Sequence, residues 1–153
     1  MSIIQLIETK ISNLSFDETP IVIISGPTGI GKSKLAMSLA KKISGVIINA
    51  DSMQIYKELK IISSQPSDRD KKIISHELYG IKSVYQNFSV MDWLELVEEK
   101  LDVIFNKNKI PIIVGGTGLY IKSAINGISK IPKVDKVVFE NCSKLFDKIG
   151  TLE

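Results

Sequence analysis

Ile21-Val22-Ile23-Ile24-Ser25-Gly26-Pro27-Thr28-Gly29-Ile30-Gly31-Lys32-Ser33 is the stretch that decides how this chain is read. Residues 26–33 satisfy the pattern GxxxxGK[ST], and the apolar run ahead of them is the strand on which such a phosphate loop is mounted. Each residue type has a physical task. Glycines let successive backbone N–H groups converge on phosphate oxygens, and the following helix adds its positive end. Lys32 adds a point charge, and the Ser33 hydroxyl is placed to reach Mg²⁺. The chain is therefore expected to handle a phosphorylated ligand.

Working outward, a helix is expected over 32–43, with Leu35, Ala36, Leu39 and Ala40 on its inner face and Gly45 as its terminator. Val46-Ile47-Ile48-Asn49-Ala50 follows as a nearly all-apolar strand, the signature of a parallel strand covered on both faces. It delivers Asp51 and Ser52 to its carboxyl end, beside the phosphate-loop strand, where open α/β sheets bind ligands. Residues 53–88 show weak periodicity, with Pro66 and the charge cluster 68–72 marking exposed loop or a short helix. Ser89 and Asp92 form a capping box that opens a helix to about residue 106, striped by Leu94, Val97, Leu101 and Ile104. A third buried strand, Ile110-Pro111-Ile112-Ile113-Val114, runs into Gly115-Gly116-Thr117-Gly118, and a helix over 119–126 stops at Gly127. The expected fold is α/β: a P-loop kinase-like parallel sheet flanked by helices and incomplete at its carboxyl end. Three regions are expected: a docking helix within 1–18, carrying Ile3, Ile4, Leu6, Ile7, Ile11 and Leu14; the core over 19–135; and, after Ile131-Pro132, a charged helix within 136–153 that starts a second region.

With 153 residues, 44% of them hydrophobic and 24% charged, the chain is long enough for one packed core and ordinary in polarity for a soluble protein. The formal net charge of +3 is too mild to mark a nucleic-acid surface by itself. Among the 20 basic residues Arg69 is the only arginine, so either lysine and backbone amides grip phosphate in place of guanidinium forks, or the arginines that would do so are missing. Cys142 is the single cysteine and His76 the single histidine, which excludes an internal disulfide and a Cys/His metal cage and fits a reducing, cytoplasmic setting. No apolar stretch approaches the roughly 20 residues that span a bilayer.

Asp51 has three readings on spacing alone: metal partner, general base, or cap of the next helix. Gly115 to Gly118 make a tight backbone approach with one hydroxyl, Thr117, aimed into the same crevice. His76, with no ligand-type neighbour, reads as a loop or surface histidine. Trp93, Tyr79, Tyr85 and Phe88 read as core or packing residues, and Lys71, Lys72, Lys130, Lys133 and Lys136 as scattered surface charge.

Taken as an ordered set, the phosphate loop, then Asp51-Ser52-Met53-Gln54-Ile55-Tyr56, then Gly115-Gly116-Thr117-Gly118-Leu119-Tyr120, resembles the tRNA dimethylallyltransferases, the isopentenyltransferases that modify an adenosine beside the anticodon. The likeness runs from about residue 21 to Asp135. It implies that the loop, Gly26, Pro27, Thr28, Gly29, Ile30, Gly31, Lys32 and Ser33, holds the diphosphate of dimethylallyl diphosphate with Mg²⁺ at Ser33. It further implies that Asp51 takes a proton from the exocyclic amine of the flipped adenine, that Thr117 stands near the reacting centre, and that Asp51, Ser52, Met53 and Gln54 line the contact with the tRNA anticodon stem-loop. Family members are mostly monomeric and about twice this length. The resemblance therefore implies an amino-terminal half whose activity needs a complementing carboxyl-terminal fragment. The chain departs from the family where Ser63-Ser64-Gln65-Pro66 replaces Thr-Ala-Lys-Pro and Ser75-His76-Glu77-Leu78 replaces Pro-His-His-Leu. Two other functions stay open at this level: a small-molecule kinase using ATP on the same loop, and a non-catalytic phosphate-binding remnant. Against the kinase, the third strand ends in Gly115-Gly116 with no acidic residue to hold metal.

Overall fold

In the computed structural model, which describes residues 2–15, 19–129 and 134–150, four strands run parallel. They are β1 (Val22–Ser25), β2 (Gly45–Asn49), β3 (His76–Glu77) and β4 (Ile110–Gly115), side by side in the order β1-β4-β2-β3. Val22 is in register with Ile112 on one side of β4, and Ile47 with the same Ile112 on the other. β2 is therefore not the neighbour of the phosphate-loop strand, as expected from sequence. β4 lies between them, and its carboxyl end becomes the middle of the crevice.

Because side chains alternate across a strand, the buried strands serve two cores at once. Val46, Ile48, Ala50 and Ile113 face α4 (Val90–Phe105) and α5 (Gly118–Asn126), packing with Trp93, Val97, Ile104 and Tyr120. Ile24, Ile47, Ile112 and Val114 face α2 (Lys32–Lys42), whose Ala36, Leu39 and Ala40 are buried. α4 begins at the expected box, the Ser89 hydroxyl accepting from the Asp92 amide while the Asp92 carboxylate accepts the Ser89 amide at 2.8 Å. α1 (Ile3–Ser12) docks on the α2 side through Ile4 and Ile7 and pairs Glu8 with Lys42 at 3.5 Å.

Gly45 does not terminate α2. The left-handed residue after the helix is Ser44 (φ 53°), and Gly45 opens β2 in a buried position. A Cβ at Gly45 would lie 2.7 Å from Ile112 Cδ1 and 3.0 Å from Ala40 Cα, so the glycine is there to let helix and sheet close up. Residues 53–88 carried no period because they fold as 3₁₀ turns (Ser52–Ile55, Lys57–Leu59), the short α3 (Asp68–Ile73) capped by Ser67 and Asp70, and the two-residue β3. Two side chains differ from expectation. Tyr85 is 93% exposed and packs in no core, and His76 sits half-buried in β3 rather than on the surface. α6 (Lys136–Ile149) is amphipathic rather than simply charged: it buries no residue, and Phe139, Leu145, Phe146 and Ile149 all lie open. Lys130, Lys133 and the Ile131-Pro132 break lie outside the described residues. Among the described residues no helix is long and apolar enough to cross a membrane.

Candidate functional site

The phosphate loop turns on two left-handed glycines, Gly29 (φ 84°) and Gly31 (φ 93°), the second serving as N-cap of α2. Residues with a Cβ rarely adopt this backbone, so the motif's glycines are needed for the curve. Lys32 reaches back across the loop and donates to the Pro27 carbonyl at 2.8 Å. Thr28, Gly29 and Ile30 are exposed, and the start of α2 leaves backbone donors without intrahelical partners. The Ser33 hydroxyl makes no hydrogen bond among the described residues. That leaves it open to a cation or a phosphate. Magnesium is commonly held by one or two protein oxygens together with substrate phosphates and water, so a single hydroxyl beside a phosphate cradle fits it. The described residues contain no cluster of three or more His, Cys, Asp or Glu side chains that could hold a metal ion.

At the carboxyl end of β2, Asp51 is held by its backbone. The side chain of Asn49, fully buried, accepts the Asp51 amide at 2.9 Å and donates to the Asp51 carbonyl at 3.0 Å and the Leu78 carbonyl at 3.1 Å. The Asn49 carbonyl in turn accepts the indole N–H of Trp93 at 2.8 Å, and Trp93 stacks on Tyr120 with ring centroids 4.5 Å apart. Asn49 was missed as a functional residue, although its signal was present: one amide side chain in an otherwise apolar buried strand, two positions before the candidate acid. Asp51 itself caps the turn that follows, its Oδ1 accepting the Met53 amide at 3.0 Å. A carboxylate has a second oxygen, so capping does not exhaust its capacity to accept a proton.

The turn after β4 joins these two sites. A Cβ at Gly116 would lie 3.4 Å from the Gly26 carbonyl and 4.0 Å from Lys32 Nζ, which places this turn against the phosphate loop. On its other side the Thr117 amide donates to the Ala50 carbonyl at 3.2 Å, and Thr117 Oγ1 accepts the Ser52 amide at 2.9 Å and lies 3.3 Å from Ser52 Oγ. Gly115 stands so close to β2 that a Cβ would fall 2.0 Å from the Ala50 carbonyl oxygen. The three sequence motifs thus meet at one edge of the sheet. Gln54 turns inward, donating to the Ser63 carbonyl at 2.7 Å, while Met53 points outward and is 53% exposed.

The surrounding rings feel burial, and the two tyrosines among them also feel the Asp51 charge. Tyr120 is pushed up to about 12 by burial first and by Tyr56 and Asp51 after it, and Tyr79 is pushed up by burial and then by Asp51. Burial holds His76 below the usual imidazole range. All three rings are neutral near pH 7.

This geometry agrees with what the chain is similar to. The profile of the IPP transferases matches residues 54–151 and that of the isopentenyl transferases residues 19–87. A tRNA dimethylallyltransferase of Pelagibacter ubique is 50% identical over 131 residues, covering 86% of this chain and 42% of the relative. One of Ehrlichia chaffeensis is 44% identical over 133 residues, covering 87% and 44%. Among solved structures, the full-length tRNA isopentenylpyrophosphate transferase of Bacillus halodurans superposes with a TM-score of 0.71 at 30% identity, over 87% of this chain and 44% of that one. A eukaryotic dimethylallyltransferase acting on tRNA gives 0.72 at 27% identity, over 88% and 33%. The chain spans somewhat under half the length of the curated relatives it matches.

Proposed function

This chain belongs to the IPP transferase family, and on that premise we propose that it supplies the diphosphate-binding and proton-accepting half of a tRNA dimethylallyltransferase. The observation that carries the reading is the turn after β4, which touches the phosphate loop through Gly116 and the Asp51 turn through Thr117. One ligand can then be gripped at one end and attacked at the other. The loop amides and Lys32 hold the diphosphate of dimethylallyl diphosphate and stabilise the charge that grows on it as the C1–O bond breaks. The exocyclic amine of adenosine, extruded from its stack, forms the new N–C1 bond. The amine's lone pair is delocalised into the ring, so it is a weak nucleophile. Asp51 orients it through the carboxylate oxygen not used in capping and takes its proton. Mg²⁺, when bound, adds positive charge at the leaving diphosphate, and Ser33 is the residue that would hold it. Thr117 fixes Ser52 and stands beside the reacting centre, and residues 51–54 face the tRNA.

Turnover on an anticodon stem-loop is expected to need the additional length that the relatives have, supplied as a complementing carboxyl-terminal segment. The cytoplasm is the setting that suits a tRNA substrate and the exposed, unpaired Cys142. Calorimetry with Mg²⁺ tests the reading on the chain as it stands. Dimethylallyl diphosphate is expected to bind more tightly than ATP, and the reverse order overturns the assignment in favour of a kinase.

A further inference from the structure

Among the described residues the large hydrophobic side chains most open to solvent are Ile61 (93%), Ile62 (82%) and Tyr85 (93%). All three sit on turns that hang from the segment just beyond Asp51. The turn carrying Ile61 and Ile62 is tied down by Gln54, whose side-chain amide donates to the Ser63 carbonyl at 2.7 Å. The turn carrying Tyr85 is tied to residues 55–58: the Ile81 amide donates to the Ile55 carbonyl at 2.8 Å, and the Lys57 amide to the Lys82 carbonyl at 2.9 Å. Of the three side chains only Tyr85 has a ring face on which a base can stack.

The Tyr85 turn is also braced. Glu58 accepts the Ser83 hydroxyl on one carboxylate oxygen at 2.8 Å and the Val84 amide on the other at 3.1 Å. The Ser83 amide donates to the Gln86 side-chain carbonyl at 3.2 Å, and the Gln86 amide to the Ser83 carbonyl at 3.0 Å. Single exposed apolar residues are ordinary on a surface, and a slack loop would carry one without consequence. Here the phenol is displayed from a turn whose backbone is fixed on both sides of it, which lowers the entropy lost when the ring is covered. Charge at the turn is compatible with a polyanion. Lys57 is exposed, Lys82 Nζ stands 5.6 Å from the Phe88 ring centroid, and neither forms an ion pair with a described residue. Both oxygens of Glu58, the carboxylate nearest the turn, already accept hydrogen bonds.

Resting on the reading that residues 51–54 face a tRNA, we propose that Tyr85 is a stacking platform for an unpaired base of the anticodon loop, with Lys57 and Lys82 against the phosphates beside it. Four residues of 3₁₀ turn, the bridge from Tyr56 to Lys82 and three residues of turn lead from Asp51 to Tyr85, a path of no more than about 30 Å. Extruding one adenosine from a loop leaves its neighbours without a stacking partner, and the phenol supplies a face for one of them.

Titration of the chain with a fluorescently labelled anticodon stem-loop RNA at roughly 50 mM salt tests the platform. Tyr85→Ala is expected to weaken binding roughly 5- to 100-fold without moving Tm, whereas Tyr85→Phe stays within about threefold of the unaltered chain. Lys57→Ala is expected to weaken binding and lower the salt slope by about one. In Tyr85→Trp the indole fluorescence should be quenched by the hairpin but not by a blunt duplex of the same stem, since Trp93 is fully buried and silent. Equal hairpin affinity in Tyr85→Ala and the unaltered chain, or no binding by the unaltered chain, would overturn the platform. Self-association that Tyr85→Ala abolishes, in a chain that ignores the hairpin, would assign the turn to a protein contact and overturn it as well. None of these results alters the order in which dimethylallyl diphosphate and ATP bind, on which the underlying reading is tested separately.

Discussion

The phosphate loop and the Asp51 turn lie at the carboxyl ends of parallel strands separated only by β4, yet they are held by different means. The loop owes its shape to backbone freedom at Gly29 and Gly31, and its residues 28–30 are exposed. The Asp51 turn is fixed from behind by a buried asparagine, an indole N–H and the Thr117 hydroxyl. The contrast suits the roles proposed for the two sites. A loop that wraps phosphate needs free donors until the ligand fills them, whereas a carboxylate that accepts a proton is effective only when already aimed. One side of the crevice is therefore built from permissiveness and the other from preorganisation, and substitutions should separate the two.

Gly115→Ala strikes the element both sides share. Its Cβ would fall 2.0 Å from the Ala50 carbonyl, backbone against backbone, with no flexible side chain to yield. The expected cost exceeds about 4 kcal/mol and the variant should show no cooperative melting. A stable, folded Gly115→Ala protein would mean that β2 and β4 do not approach as described. Asn49→Ala comes next in size. It strands the Asp51 amide and carbonyl without partners, which is expected to cost about 2–4 kcal/mol and lower Tm by roughly 10 °C, while diphosphate affinity well below Tm stays nearly unchanged. Lys32→Ala should give the opposite pattern. It removes one charge-assisted contact to phosphate, about 2 kcal/mol or a 30-fold loss of diphosphate affinity, with little change in melting. If the two variants showed the same profile, the proposed division between loop and turn would be lost.

The smallest effect concerns pH. The folded state holds His76 below its unfolded value of about 6.5, so the unfolded chain binds the proton more readily. The stability that this neutral ring contributes is complete above about pH 6.5 and falls away as pH drops from there toward the folded value. Urea titrations should show this slope in the unaltered chain and its loss in His76→Phe.

The phosphate loop was legible because its task dictates residue types at fixed spacing, and so was the capping box at Ser89 and Asp92. The buried strands were legible because cover on both faces demands continuous apolar runs. The order of those strands was not, since nothing local in Ile110 to Val114 says that it inserts between the other two. Gly45 misled because glycine most often marks a helix end through its left-handed freedom, whereas here it is kept for the space it leaves against Ala40 and Ile112. The segment 53–88 was opaque because 3₁₀ turns and a six-residue helix are too short to show a period. Asn49 was hidden in plain view, since a polar residue within a hydrophobic run reads as noise until its three partners are known.

The central claim is that loop, Asp51 turn and Thr117 turn face a single ligand, and amide chemical shifts report on it most directly. When ¹⁵N-labelled chain is titrated with dimethylallyl diphosphate and Mg²⁺, the amides of Gly29, Gly31, Lys32 and Ser33 are expected to shift together with those of Ser52 and Thr117, all following one dissociation constant. Shifts confined to residues 26–33, with Ser52 and Thr117 unmoved at saturation, would contradict it.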